Sequence, residues 1–323
     1  MPDKVVTYSP AYTLVPTYEC FNHCSYCNFR NDPGSPWLTL AQAEKKLRTL
    51  QSAPVGEPVI EILVLSGEVH PQSSLRQKWF QHIYSICELA LQLGFLPHTN
   101  AGPLSFTEMQ QLQSVNASMG LMIEQLSPRL METVHRKAPS KVPALRLQQL
   151  EQAGQLRIPF TTGLLLGIGE TQSEREKTLL AIARSHKQWG HVQEVILQPY
   201  SPGSRETLRA SALNHQEFLQ TIQMARAILP SDITLQIPPN LLPKPEGLIV
   251  YLNSGVRDLG GIGPKDEVNP DYHHSLITEL KTVLLQDNWK LVPRLPVYPQ
   301  YKNWLSEPLK ILVEKWQSVI LQP

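Results

Sequence analysis

Residues 20–27 read Cys20-Phe21-Asn22-His23-Cys24-Ser25-Tyr26-Cys27, close behind the apolar run Tyr12–Val15. The spacing is C-x3-C-x2-C. Three thiolates this close can hold three irons of a 4Fe–4S cluster and leave the fourth iron without a protein ligand; a cluster that only carries electrons usually takes four. An open iron can bind a cofactor or substrate directly. The alternative is a structural zinc site, with Cys87 or His23 as fourth ligand. Zinc knuckles usually pair C-x2-C with a second such pair, and this chain has none. A zinc site would organise a small module, whereas a chain with a large core of its own needs no metal to fold. The sequence on either side therefore decides.

With 323 residues the chain can bury a large core, as one large α/β barrel or two domains. Lys and Arg number 29 against 28 Asp and Glu, a net charge of +1 with no basic block, so no nucleic-acid partner is expected. No apolar run reaches the roughly 18 residues of a membrane helix. Met1-Pro2-Asp3-Lys4 lacks the charged-then-apolar pattern of a signal peptide. Four cysteines, three of them clustered, make no disulfide framework, and a reducing, cytoplasmic setting is expected. Proline is most frequent after residue 228, where intervening apolar residues predict rigid loops rather than disorder.

Strand-like and helix-like runs alternate. Tyr12–Val15, Val59–Leu65, Leu96–Thr99, Ala117–Ile123, Phe160–Leu166 and Val192–Gln198 read as strands. Leu40–Gln51, Gln77–Leu93, Thr107–Leu112, Pro143–Ala153 and Ser173–Trp189 read as helices. Thr39 and Gln42 have capping-box spacing, and Gly94 and Gly154 are placed to end helices. Such alternation predicts βαβ units on a parallel sheet. Gln216–Leu229, Thr234–Ile237, a helix over Pro245–Leu252 and the glycine-rich Asp258–Pro264 extend the count to eight. A closed (β/α)8 barrel over residues 1–272 is the favoured reading, and a partial (β/α)6 barrel the alternative. Residues 273–323, with helices Ser275–Leu285 and Lys302–Trp316, form a C-terminal helical extension packed on it.

The cysteine spacing, a barrel of this kind and the turn Ser66-Gly67-Glu68 together resemble the radical S-adenosylmethionine (SAM) enzymes. The resemblance implies that Cys20, Cys24 and Cys27 ligate the cluster and that SAM chelates the open iron. Reductive cleavage then yields methionine and a 5′-deoxyadenosyl radical, with the protein orienting the cofactor. Active sites of such barrels lie at the C-terminal ends of the strands, so the polar residues there are the candidates. Ser66, Gly67 and Glu68 stand where the family has Gly-Gly-Glu facing the SAM amino group. Read alone, they are an ordinary turn with an acid in the first helical turn. Glu124 ends the fourth strand, where a charge is costly unless paired, and by resemblance meets the SAM ribose or amino group. Arg146 is the candidate for the SAM carboxylate, or else a solvent-facing helical arginine. Ile168, in the glycine-rich turn Gly163–Thr171, is placed against adenine. Tyr26, Asn100 and Gln198 complete the cofactor candidates. His98, His135, Tyr200, Arg257 and Asp258 are candidates for substrate, with Asn253 and Tyr298 as further polar groups. His135 is also a candidate for proton transfer, against the commoner role of a structural histidine.

The resemblance narrows over Leu96–Gly102, Ile158–Thr171 and above all Arg294-Leu295-Pro296-Val297-Tyr298-Pro299. These segments are similar to the second, ammonia-releasing radical SAM component of the 7,8-didemethyl-8-hydroxy-5-deazariboflavin synthases. The implied substrate is 5-amino-5-(4-hydroxybenzyl)-6-(D-ribitylimino)-5,6-dihydrouracil, a tyrosine–ribityluracil adduct made by a sister radical SAM component. Ring closure with loss of ammonia makes the enzyme a carbon–nitrogen lyase, and an electron donor is required. Ser66, in place of the family's glycine, and Pro199-Tyr200, in place of its Asn-Phe pair, depart from the pattern. The alternatives are the sister component itself, which joins tyrosine to 5-amino-6-(D-ribitylamino)uracil, another barrel-type radical SAM enzyme, or a non-catalytic zinc or iron–sulfur protein. Cys87, in the apolar run Ile83–Leu91, reads as a buried structural thiol.

Overall fold

The architecture turns on β1, Val5–Leu14, the first and longest strand of the computed structural model. The structure describes residues 4–52, 58–208, 210, 212–244 and 247–320. After β1 come α1 (Leu40–Gln51), β2 (Glu61–Leu65), α2 (Arg76–Gln92), β3 (Leu96–Asn100), α3 (Phe106–Gln113), β4 (Ser118–Gly120) and α4 (Pro143–Gln155). Next are β5 (Phe160–Leu166), α5 (Gln172–Trp189), β6 (Val192–Pro199), α6 (His215–Ile228), β7 (Thr234–Gln236), α7 (Leu248–Asn253) and β8 (Asp258–Ile262). The chain ends with α8 (Ile277–Gln286), β9 (Lys290–Pro293) and α9 (Glu307–Ile320).

Strands β2 to β8 pair in chain order, all parallel, and β1 closes the ring. Its upper half, Ala11–Leu14, runs beside Glu61–Val64 of β2, and Thr7–Pro10 runs beside β8. The closed barrel of eight units expected from the alternation is therefore present, and the open six-unit alternative is set aside. β9 pairs with Val5–Tyr8, the half of β1 that β2 leaves free. β5 is buried at every position, as a strand between helices and a barrel interior must be. Capping boxes at Thr39/Gln42, Ser105/Glu108 and Thr171/Glu174 start α1, α3 and α5.

The main core lies between sheet and helices, around Ile62, Val64, Trp79, Ile83, Phe160 and Leu179. A second cluster is built by Leu295, Val297, Tyr301, Leu305, Leu309 and Val313. It packs on Ile60, Leu96 and Ala117 at the N-terminal ends of β2 to β4, so the last segment covers the lower end of the barrel. Fully burying each such aliphatic side chain contributes about 2 kcal/mol. Arg294–Tyr298 enters the underside itself: Ser118 Oγ and Gln193 Nε2 both donate to the Pro296 carbonyl, at 2.7 and 2.9 Å.

Several elements differ from expectation. β1 begins at Val5 rather than Tyr12, because barrel closure pairs the turn-like Tyr8-Ser9-Pro10 that no local pattern favours. β4 is short because its ladder lapses after Leu121 and rejoins only at Glu124, which holds φ +63°. Gly154 lies inside α4 against Trp189, and Arg157 at φ +53° makes the turn instead. The single helix expected over Lys302–Trp316 is a 3₁₀ turn, Pro299–Trp304, followed by α9, whose first turn holds Pro308. Pro245 and Glu246, in the expected seventh helix, lie outside the described residues.

Candidate active site at the barrel mouth

The cysteine loop leaves the upper end of β1 and is held by backbone hydrogen bonds to three other strand-end loops. Phe21 N–H donates to Glu68 O (3.0 Å), His23 N–H to Lys137 O (2.7 Å) and Ser25 N–H to Val134 O (3.0 Å). Thr207 and Leu208 N–H both donate to Ser25 O at 2.8 Å. Cys20, Cys24 and Cys27 are free, partly exposed thiols. Burial, reinforced by Glu68, raises the Cys20 thiol, and burial pushes Cys24 up to about 12. Such thiols become anions only beside a strong positive charge, which cluster iron supplies, so the donor set fits a thiolate-ligated cluster. Cys87 is no fourth ligand: it is fully buried on α2, with Sγ 3.2 Å from Thr99 Oγ1 in the barrel wall. Among the described residues no three His, Cys, Asp or Glu side chains converge on a single metal-ion position.

The turn after β2 is shaped by contact with this loop. Gly67 donates its N–H to Thr17 O (2.8 Å), and a Cβ there would stand 2.1 Å from Glu19 O, so only glycine fits. Its carbonyl accepts from Ser66 Oγ (2.9 Å) and shares the single Trp79 indole N–H with Ser66 Oγ (both 3.0 Å). Glu68 accepts from Asn22 Nδ2 (2.9 Å) and Arg146 Nη2 (3.3 Å). Arg146 is only 2% exposed and also donates to Ser140 O (3.0 Å) and Met122 O (2.8 Å). It is thus no solvent-facing helical arginine, because its helix packs that face on the strand ends. Glu124 is paired with Lys141 at 2.6 Å. Glu170 accepts from the N–H groups of Gly167 and Ile168 (2.8 and 2.9 Å) and from Arg175 (2.7 Å), which holds the turn carrying Ile168.

A second group lies beside the cysteine loop. Tyr26 Oη and His135 Nε2 are 3.0 Å apart. Burial, then the nearby Lys141 and Arg146, holds His135 down to about 3, so its imidazole is neutral. Leu130, Val134, Leu165, Ile168 and Tyr200 form an apolar wall against Tyr26, and the Tyr200 hydroxyl donates to Glu206.

His98, Asn100 and Gln198 line a cavity of about 190 Å³ inside the barrel. Arg257 and Asp258 do not sit at a strand's upper end as expected. They stand at the start of β8, at the opposite end of the barrel. Arg257 donates to the carbonyls of Leu252 and Val256 and stacks on Trp289, while Asp258 is fully buried against Arg294. Asn253 is exposed at the end of α7, and Tyr298 meets Glu194 from below. The sequence reading missed Lys141, Glu61, Glu194 and Arg294. A signal existed for two of them: side chains alternate along a strand, so Glu194 shares the inward face of Gln198, and Glu61 that of Leu63 and Leu65.

A family model described as the radical SAM superfamily matches residues 14–182. The chain is 61% identical over 318 residues to a 7,8-didemethyl-8-hydroxy-5-deazariboflavin synthase of Trichormus variabilis, covering 98% of this chain and 92% of that one. It is 54% identical over 322 residues to one of Gloeobacter violaceus, covering 100% and 99%. Among solved structures it resembles the FeFe-hydrogenase maturase HydG from Carboxydothermus hydrogenoformans, with TM-score 0.71, 19% identity and coverage of 99% and 78%. Methylornithine synthase (PylB) follows with TM-score 0.65, 16% identity and coverage of 90% and 84%. At those identities the two structures speak to the fold alone.

Proposed function

Because the chain belongs to the radical SAM superfamily and, within it, to the 7,8-didemethyl-8-hydroxy-5-deazariboflavin synthases, we propose that it is the ammonia-releasing component. It would convert the tyrosine–ribityluracil adduct to 7,8-didemethyl-8-hydroxy-5-deazariboflavin as a carbon–nitrogen lyase. The observation that carries this is the 61% identity over 98% of the chain. In this reading Cys20, Cys24 and Cys27 hold a 4Fe–4S cluster with one iron free of protein ligands, and SAM binds beside it. When bound, the reduced cluster and SAM supply the one-electron cleavage that starts hydrogen abstraction from the substrate.

The chain's own residues position and enclose. Ser66 and Gly67 let the turn approach SAM closely; Glu68, Asn100 and Glu124 are the acceptors for its ammonium and ribose. Arg146 keeps Glu68 oriented from beneath. Ile168 and Tyr200, with Tyr26 and neutral His135, wall off water on the adenine side, and Gln198 borders both cofactor and substrate. The substrate occupies the barrel cavity. Residues 1–272 carry this chemistry and 273–323 serve as an extension that stoppers the barrel. A sister radical SAM component supplies the adduct and a separate donor the electron. Free thiols poised for a cluster favour the reducing cytoplasm; among the described residues no helix is long and apolar enough to cross a membrane.

Anaerobic turnover of the reconstituted protein with SAM, reductant and the adduct tests the reading. 5′-Deoxyadenosine and fluorescent deazaflavin should appear together. SAM cleavage without deazaflavin, followed by product formation from tyrosine and the ribityl pyrimidine, would overturn it in favour of the sister activity.

A further inference from the structure

Barrel interiors of this class are ordinarily filled by branched aliphatic side chains. Here the lower layer is polar: Glu61, His98, Thr161, Glu194, Asp258 and the inserted Arg294. Much of it is internally satisfied. Glu194 accepts from Thr161 Oγ1, Tyr298 Oη (both 3.0 Å) and Arg294. Asp258 accepts from Arg294 (2.6 and 2.9 Å), Gly260 N–H (2.7 Å) and Thr7.

Glu61 is different. It lines the cavity at 7% exposure, and no described residue donates a hydrogen bond to it or pairs with it. Its neighbour His98 also presents an acceptor. Ser118 Oγ lies 2.7 Å from His98 Nδ1 and 2.7 Å from the Pro296 carbonyl. A carbonyl only accepts, so the hydroxyl's one hydrogen goes to Pro296 and Nδ1 must carry the proton donated to Ser118. Nε2 is then the bare nitrogen. It lies where a Cβ on Gly120 would come within 2.9 Å, so glycine leaves it room at the cavity wall.

Two acceptors on adjacent strands, facing one cavity and without protein donors of their own among the described residues, suit a ligand rich in O–H or N–H hydrogens. Position selects which part of the substrate this is. Glu61 opens β2 and Leu65 closes it, which puts the carboxylate's backbone on the order of 13 Å below the strand end. The reacting centre belongs at the mouth beside the cysteine loop, so the group reaching the floor is the one remote from it. We propose that Glu61 and His98 form a hydroxyl-recognising subsite that takes the ribityl chain of the substrate, an inference that rests on the function proposed above.

The test is fluorescence titration of the deazaflavin product against its 10-methyl counterpart, which lacks the polyol, run beside the turnover assay. Glu61→Gln loses no internal hydrogen bond, and His98→Asn keeps a donor towards Ser118, so both variants retain the fold. Wild type should bind the ribityl compound at least about 100-fold more tightly than the methyl one. Each variant should lose roughly 10-fold or more for the ribityl compound and little for the methyl one. Equal affinity of wild type for both ligands, or equal losses on both in the variants, overturns the subsite while turnover upholds the function. No turnover of the adduct and no binding of either ligand removes the function, and the subsite with it.

Discussion

At the mouth of the barrel, buried charges come in closed pairs: Glu68 with Arg146, Glu124 with Lys141, Glu170 with Arg175. On the floor, Glu194 and Asp258 share Arg294, and among the described residues Glu61 has no cation. The two regions are made of the same residue types within one barrel, yet they answer different needs. A closed pair holds its geometry before any ligand arrives, which suits a site that must pre-set cofactor contacts. A floor with excess carboxylate keeps an unmet demand, answered by a proton or by hydrogens that a ligand brings. Burial pushes Glu194 up to about 7, with Asp258 and Glu61 adding to the push against Arg294. The cysteine loop at the mouth should therefore be dispensable for folding and decisive for catalysis, whereas the buried charges of the floor hold the fold.

The largest effect should come from the cysteine loop. Cys20→Ala, Cys24→Ala or Cys27→Ala should abolish iron incorporation and turnover while leaving the thermal transition of the apo-protein within a few degrees of wild type. A collapsed fold in these variants would break the contrast. Next is Arg294→Met, which leaves buried carboxylates without their cation and should cost about 3–5 kcal/mol in urea unfolding. Arg294→Lys should recover only part, since a single ammonium cannot reproduce the fork that bonds both Asp258 and Glu194. Wild-type stability in Arg294→Met would mean that the floor is not held by charge.

A smaller effect separates protonation from packing. The Glu194 carboxyl holds its proton in the folded state up to about 7, against an ordinary value of 4.5. Between those values the folded state binds more protons than the unfolded one, so stability falls as pH rises. The contribution is complete below about 4.5 and lost above about 7. Wild type should thus lose stability relative to Glu194→Gln as pH is raised from about 5 to 8; a constant difference between the two would contradict a proton held by Glu194 in the folded state. His98, held below its ordinary value by burial, acts with the opposite sign in both proteins and cancels in the comparison. The smallest effect is at Cys87→Ala, a buried cavity on neither surface, which should cost about 1 kcal/mol and leave iron content unchanged.

The regions also differ in how legible they were. α1 and β5 have the bounds their periodicity predicts, because one wholly buried strand and one capped amphipathic helix carry their patterns locally. The placement of mouth residues was readable for a similar reason: Ser66, Gly67, Glu68, Asn100, Glu124, Ile168 and Gln198 lie at or just past strand ends, marked by a break from apolar to polar or glycine residues, while Tyr26 lies in the cysteine loop and Arg146 on α4. The floor was less so: His98 was a candidate, but Glu61 and Glu194 lie inside runs that read simply as strands, and only side-chain alternation marks their inward face. Arg257 and Asp258 were assigned to the wrong end for want of the strand's direction and register. β9, Lys290–Pro293, has two apolar residues and a proline, and no local pattern distinguishes it from a loop.

The amino-acid sequence by itself determined the three-thiol loop, the alternation of strand and helix and the family, since each rests on residues near one another along the chain or on identity along its length. Only the tertiary structure decided that Arg146 supports Glu68 from within, that Arg294 enters the barrel from below, and that Glu61 faces the same cavity as His98 with no donor among the described residues. Those relations join residues tens to hundreds of positions apart. Strand register and barrel closure set their distances, and whether a buried charge is met depends on such distances rather than on the residues that flank it.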